Sequence, residues 1–136
     1  MRRQLMLLAV PLMALHSIAS AQSDPCADAA TQADINECVG KAYKKADADL
    51  NAAYKQAATR LKGDDDQHKK LITAQREWIK FRDAECDFVT ADAGGGSAYS
   101  MALSACLTTL TQDRTKQLKG YLACPEGDIS CPITKP

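Results

Sequence analysis

Few residues in this 136-residue chain have the types and spacing to do chemistry: six cysteines, one histidine beyond the N-terminal leader, three consecutive aspartates, three consecutive glycines and two glutamates two helical turns apart. Cys26, Cys38, Cys86, Cys106, Cys124 and Cys131 would either ligate a metal or pair as disulfides. Zinc sites group their ligands at short spacing, and here no C-x-x-C occurs and His68 is the single histidine after position 21. An even cysteine count in a short exported chain reads instead as a disulfide framework. Six cysteines allow fifteen connectivities. The sequential one, Cys26–Cys38, Cys86–Cys106 and Cys124–Cys131, is the expectation, because each of its pairs closes a short loop.

The other groups have plainer readings. Asp64-Asp65-Asp66 lacks the spacing and closing Glu of a calcium loop, and reads as a turn and helix start where acids complement the helix dipole. Gly94-Gly95-Gly96 is followed by Ser97-Ala98, not by the Lys-Ser/Thr of a phosphate loop, so it reads as a connector with Ser97 as N-cap. Glu77 and Glu85 have the residue types of a glycosidase pair, but charged helix faces supply such pairs routinely. His68, beside Lys69 and Lys70, reads as a surface residue rather than a base. With the cysteines paired, no nucleophile–base combination remains. The expectation is a protein that is not an enzyme and needs no metal or cofactor.

One stretch organises the rest. In Gln75–Cys86, QREWIKFRDAEC, a helix places Gln75, Trp78, Arg82 and Cys86 on one face, so the only Trp shares that face with a cysteine and a cation. An arginine on an apolar stripe needs a partner, because an unpaired buried charge is strongly disfavoured. Together Trp78 and Arg82 have the chemistry of a recognition site, but a buried structural seam accounts for both.

The elements that position this stretch follow from the flanking sequence. Arg2 and Arg3, the apolar run Leu5–Leu15 and Ala19-Ser20-Ala21 make residues 1–21 a signal peptide, with cleavage expected before Gln22. The apolar run is too short to span a membrane, and position 22 is Gln, not a lipid-bearing Cys, so no membrane anchor is expected. A periplasmic or secreted product of one domain, 22–136, remains. Without Arg2 and Arg3 the 17 basic residues fall to 15, against 17 acidic ones, and such a balance has no electrostatic footprint for nucleic acid.

Thr31-Gln-Ala-Asp34 fits a capping box, and Ile35, Val39, Tyr43, Asp47, Leu50, Tyr54, Ala57 and Leu61 then step at helical spacing. Gly63 ends this first helix, 31–62. A second, 66–91, faces inward with Leu71, Gln75, Trp78, Arg82, Cys86 and Val89. A third, 97–122, does so with Leu103, Leu107, Leu110, Arg114, Leu118 and Tyr121. The tail, 123–136, is a small disulfide loop. The expected fold is all-α: three antiparallel helices, up-down-up, braced by disulfides. If the first two helices form a hairpin about Gly63–Asp66, helix rise puts Asp47 opposite Arg82, Asn51 near Trp78 and Tyr54 near Gln75. An Asp47–Arg82 ion pair is therefore expected, inside a polar seam of Asp47, Asn51, Tyr54, Gln75, Trp78 and Arg82. With so many core positions Ala and so few aromatics, disulfides are expected to make up for thin packing.

The run Cys26, Cys38, Asp47-Ala-Asp49-Leu50-Asn51-Ala-Ala-Tyr54, Gln75-x-x-Trp78-x-x-Phe81-Arg82-Asp83-x-x-Cys86, the glycines with Ser97, Cys106 and Arg114 resembles the LprI-type lysozyme-inhibitor family across residues 26–118. The resemblance implies an envelope or secreted protein and, as in at least one member, inhibition of lysozyme. It differs from the lipoprotein that gives the family its name in lacking a lipid-attachment cysteine, and it adds the Cys124–Cys131 tail. The expectation is an exported binding protein with a protein partner, a lysozyme-type muramidase whose cleft it occludes. The alternative is a non-enzymatic envelope interaction module, including an immunity protein for a secreted toxin. The exposed turns, with Asp64, Asp65, Asp66, Gly95 and Ser97, and the tail loop are the candidate contacts.

Overall fold

The structure, a computed structural model, describes residues 26–125 and 127–133; the expected signal peptide and its cleavage site lie outside them. Three helices carry the fold: α1, Gln32–Arg60; α2, Asp65–Val89; and α3, Ser97–Leu122. No strand occurs among the described residues.

Local chemistry sets the ends. Thr31 caps α1 with a full capping box: its hydroxyl accepts from the Asp34 amide at 3.1 Å, and its own amide donates to the Asp34 carboxylate at 3.2 Å. Gly63 turns the chain at φ +102°, a conformation that favours glycine. Asp64 then caps α2, its carboxylate accepting from the Gln67 amide at 3.0 Å. At the far end of α2 the buried Thr90 hydroxyl donates to the Cys86 carbonyl at 2.6 Å. A 3-10 turn, Ala91–Ala93, follows. Gly94 and Gly95, both left-handed, lead into α3, whose N-cap is Gly96; Ser97 is the first helical residue and supplies no side-chain cap, contrary to expectation.

The three helices run up-down-up. α1 and α3 are parallel: Gln32 reaches Met101 near their N-termini, and Arg60 donates to the Leu122 carbonyl at 2.5 Å near their C-termini. α2 is antiparallel to both, since Gln75 meets Arg114 while Cys86 meets Cys106. The close backbone pairing is between α1 and α3; α2 approaches α3 over a shorter stretch and α1 hardly at all. Small side chains permit this: Ala46, Ala53 and Ala57 on α1 and Thr111 and Thr115 on α3 are buried. The Thr115 hydroxyl stays satisfied by donating to the Thr111 carbonyl at 2.8 Å.

Consequently the buried stripe of α1 is Ala46, Leu50, Ala53 and Ala57, continued by Leu61, rotated from the expected one. Ile35, Val39, Tyr43, Asp47 and Tyr54 are only half-buried. On α2, Leu71, Gln75, Arg82 and Cys86 are buried as expected, but Val89 is 54% exposed. On α3, Leu103, Leu107 and Leu110 are half-buried, and the deepest positions are Thr111, Arg114, Thr115, Leu118 and Leu122.

Along its axis the bundle has three zones. The end holding the C-termini of α1 and α3 contains the apolar core, Leu50, Ala53, Ala57, Leu61, Leu71, Leu118, Leu122 and Ile133. The opposite end is held by disulfides: Cys26–Cys38 pins the lead-in to α1, and Cys86–Cys106 joins α2 to α3. The third disulfide, Cys124–Cys131, closes the tail loop and brings Ile133 back into the core, where it is 2% exposed. All three pairs are the sequential ones expected. Between the two ends lies a polar middle.

Candidate functional site

The polar middle is built from α2 and α3. Arg82 is buried, and its Nη2 and Nε meet Asp83 Oδ1 at 2.7 and 2.9 Å. Nη1 lies 3.5 Å from the Thr111 hydroxyl. The guanidinium carbon stands 5.3 Å from the Trp78 ring centre and 5.8 Å from that of Tyr43. Arg114, on α3, also lies over the Trp78 ring, at 5.9 Å, and donates from Nε to Gln75 Oε1 at 3.1 Å. Its Nη1 donates to Gln117. Two guanidinium groups thus stand within cation–π range of the Trp78 ring. Burial pushes the Arg114 guanidinium below its ordinary pKa, and the Tyr121 phenol beside it works in the opposite direction.

Of the six residues expected in the seam, Gln75, Trp78 and Arg82 meet there. Asp47 does not reach Arg82: it accepts from Asn51 Nδ2 at 3.0 Å, along its own helix, and Arg82 takes the adjacent Asp83. The hairpin register is offset by about one helical turn, with Tyr43 where Asp47 was expected. Asn51 and Tyr54 lie farther along, lining a shallow groove with Ile72, Gln75, Arg76 and Ile79. Five further residues meet in the seam: Tyr43, Asp83, Thr111, Arg114 and Gln117. For Arg114 the signal was present, since it stands on the inner stripe of α3 just as Arg82 stands on that of α2.

Beside this seam opens a cleft of about 200 Å³ whose lining includes Arg114, Lys70, Gln67 and Tyr121 over Leu71 and Ile133. The outer face of α2 is different in kind. Phe81 is 55% and Phe88 78% exposed, two helical turns apart on one side. Glu77 and Glu85 flank them. Glu77 is held by Lys80 at 2.8 Å, and Glu85 is half-buried. Among the candidate turn residues, Asp64 is engaged in capping α2 while Asp65, Asp66, Gly95 and Ser97 are exposed. The tail loop carries Ile129, fully exposed, and Asp128, whose carboxylate accepts from the Ser130 amide and hydroxyl at 2.8 and 2.6 Å. Among the described residues no group of three His, Cys, Asp or Glu side chains is arranged to hold a metal.

Residues 23–118 match the protein family described as lysozyme inhibitor LprI. An uncharacterised protein of Rhizobium meliloti is 38% identical over 117 residues, covering 77% of this chain and 84% of that one. The uncharacterised protein YecT of Escherichia coli is 33% identical over 101 residues, covering 64% of this chain and 62% of its own. No solved structure matches.

Proposed function

This chain belongs to the LprI lysozyme-inhibitor family, and we propose that it is an exported binding protein that inhibits a lysozyme-type muramidase by covering its cleft. The observation that carries this reading is the family match across nearly the whole helical body. The disulfides fit a location outside the cytoplasm, where such an enzyme would be met, after removal of the signal peptide at 1–21. The body is a preformed scaffold, and rigid scaffolds lose little freedom on binding.

The contact face best supported is the outer side of α2. Exposed aromatics are the commonest anchors of protein interfaces, and Phe81 and Phe88 lie within the segment shared with the family, as the tail loop does not. Around them Glu77, Glu85 and Asp87 outweigh Lys80. That rim suits a basic lysozyme, mainly through its association rate, and opposes stacking of two copies of this chain. Asp65, Asp66, Gly95, Ser97 and the tail loop are the accessory contacts of this reading.

The test is lysis of a peptidoglycan suspension by a c-type lysozyme, with and without the oxidised mature protein. Dose-dependent protection, weakened at high salt and strongly reduced in Phe81→Ser/Phe88→Ser, is the expected result. No protection at large excess would overturn the lysozyme reading and leave a non-enzymatic envelope interaction module. Protection unaffected by the double variant would keep the function and move the contact to the turns or the tail.

A further inference from the structure

What Arg82 requires, Arg114 requires more strongly. Arg114 is 8% exposed, yet among the described residues it forms no ion pair with a carboxylate. Its partners are neutral: the Gln75 and Gln117 amide oxygens and the Trp78 ring, with the Tyr121 phenol nearby. Neutral acceptors satisfy individual N–H groups but do not compensate a buried positive charge. A guanidinium has five N–H donors in a planar fork suited to a carboxylate, and the two amide oxygens occupy only part of that fork.

The surroundings indicate what would complete it. Arg114 lines the cleft of about 200 Å³ with a second cation, Lys70, and two hydrogen-bonding groups, Gln67 and Tyr121. Among the described residues no acid lines it, and Leu71 and Ile133 make its apolar wall. We propose that this cleft binds a small carboxylate with a short apolar body, the carboxylate on Arg114, Lys70 at the rim, and the apolar body against Leu71 and Ile133. A cavity of about 150 Å³ holds a benzene molecule, so the ligand has on the order of six to ten heavy atoms. A free short-chain carboxylic acid and the C-terminal residue of a peptide share this chemistry. The site is independent of the lysozyme reading, since neither Phe81 nor Phe88 lines it.

Trp78 is the only tryptophan and its ring lies 5.9 Å from the Arg114 guanidinium carbon, so intrinsic fluorescence reads the site directly. The oxidised protein would be titrated at constant ionic strength with hexanoate, hexanol and hexylammonium. A blocked dipeptide ending in leucine, with its C-terminus free or amidated, separates the two sources. Expected is a saturable response to hexanoate at a concentration lower than hexanol requires by about ten-fold, and none to hexylammonium. A tighter response to the free-ended peptide, lost on amidation, assigns the peptide source; a tighter response to hexanoate assigns the free acid. Arg114→Gln should abolish the response, and the exposed Lys70→Ala, which leaves the core untouched, should weaken it several-fold and stands as the test if Arg114→Gln does not fold. An absent or non-saturable response in the parent, equal responses to hexanol and hexanoate, or full binding by Lys70→Ala would overturn the proposal.

Discussion

The Arg82–Asp83 pair makes an asymmetric prediction: removing the half-exposed acid should harm the fold more than removing the buried base. The Arg82 side chain is 9% exposed and that of Asp83 54%. In Arg82→Met the remaining Asp83 is hydrated where it stands, and methionine keeps most of the packing of the arginine stem. What is lost is the contact with Trp78, that with Tyr43, and the weak 3.5 Å approach to the Thr111 hydroxyl. Cation–π contacts of this kind contribute about 0.5–1 kcal/mol each, and relief of the guanidinium's desolvation offsets part of that. The net cost should be about 1 kcal/mol.

In Asp83→Ala the guanidinium stays buried without its counter-ion, a change that typically costs about 3–5 kcal/mol for a fully buried pair. The exposure of Asp83 and the better helix propensity of alanine, about 0.5 kcal/mol, reduce this to about 2–3 kcal/mol. Urea unfolding of the oxidised proteins would measure both, and the melting temperature should fall by about 5 °C in the first variant and by more than about 10 °C in the second. The double variant should be no worse than Arg82→Met alone, because no charge is then stranded. A larger loss in Arg82→Met than in Asp83→Ala would refute the reasoning and show that Arg82 acts through its packing, with its charge balanced elsewhere.

Replacing Cys86 and Cys106 together by alanine opens a loop of 20 residues and should cost about 3 kcal/mol in urea, with α2 losing amide protection before α1. Replacing Cys124 and Cys131, separated by only 7 residues, should cost about 2 kcal/mol and leave far-ultraviolet dichroism nearly unchanged, because the described residues of the tail contribute no helix. Ala57→Leu, at a position with no exposure in the core with Leu118, should destabilise by about 1–3 kcal/mol through overpacking, whereas Ala52→Leu on the exposed side should melt close to the parent. The Asp128 carboxyl, held down first by the Ser130 hydroxyl and then by its amide, should titrate below an ordinary aspartate in carbon-13 NMR. Being depressed in the folded state, it supports the tail loop above its unfolded pKa, and that support disappears as pH falls through the lower folded value.

Local structure was legible because its causes are local. The capping box at Thr31 and Asp34, the glycine at 63 and the glycines before Ser97 place the helix ends within a residue or two, and short loop lengths select the disulfides. What was not legible is which pair of helices comes closest. A hairpin between neighbours in sequence is the default expectation, and periodicity weighted by hydrophobicity picks out Ile35, Val39, Tyr43 and Leu103, residues that end half-buried. The deepest interface is made of alanine and threonine, which such a reading ranks low. The Asp47–Arg82 pair failed for this reason, since α1 is turned toward α3 and its face toward α2 meets Arg82 one turn early, at Tyr43.

The same fact changes the meaning of the alanines. They are not a thin core that disulfides must rescue; Ala46, Ala53 and Ala57 let two parallel helices approach closely, and dispersion across a close interface is gained over many atom pairs. α2 cannot join at that distance, because its inner face carries Gln75, Trp78 and Arg82. It is held at its two ends instead, by Leu71 in the apolar core and by Cys86 bonded to Cys106. The space between those two anchors is where long polar side chains fit, and both buried arginines of the described residues are found there, each over the Trp78 ring. A fold that packs two helices tightly and props the third open has therefore left one guanidinium satisfied by its neighbour Asp83 and the other facing a cleft. The disulfide at the end of α2 maintains that spacing, and the same helix leaves Phe81 and Phe88 exposed to solvent.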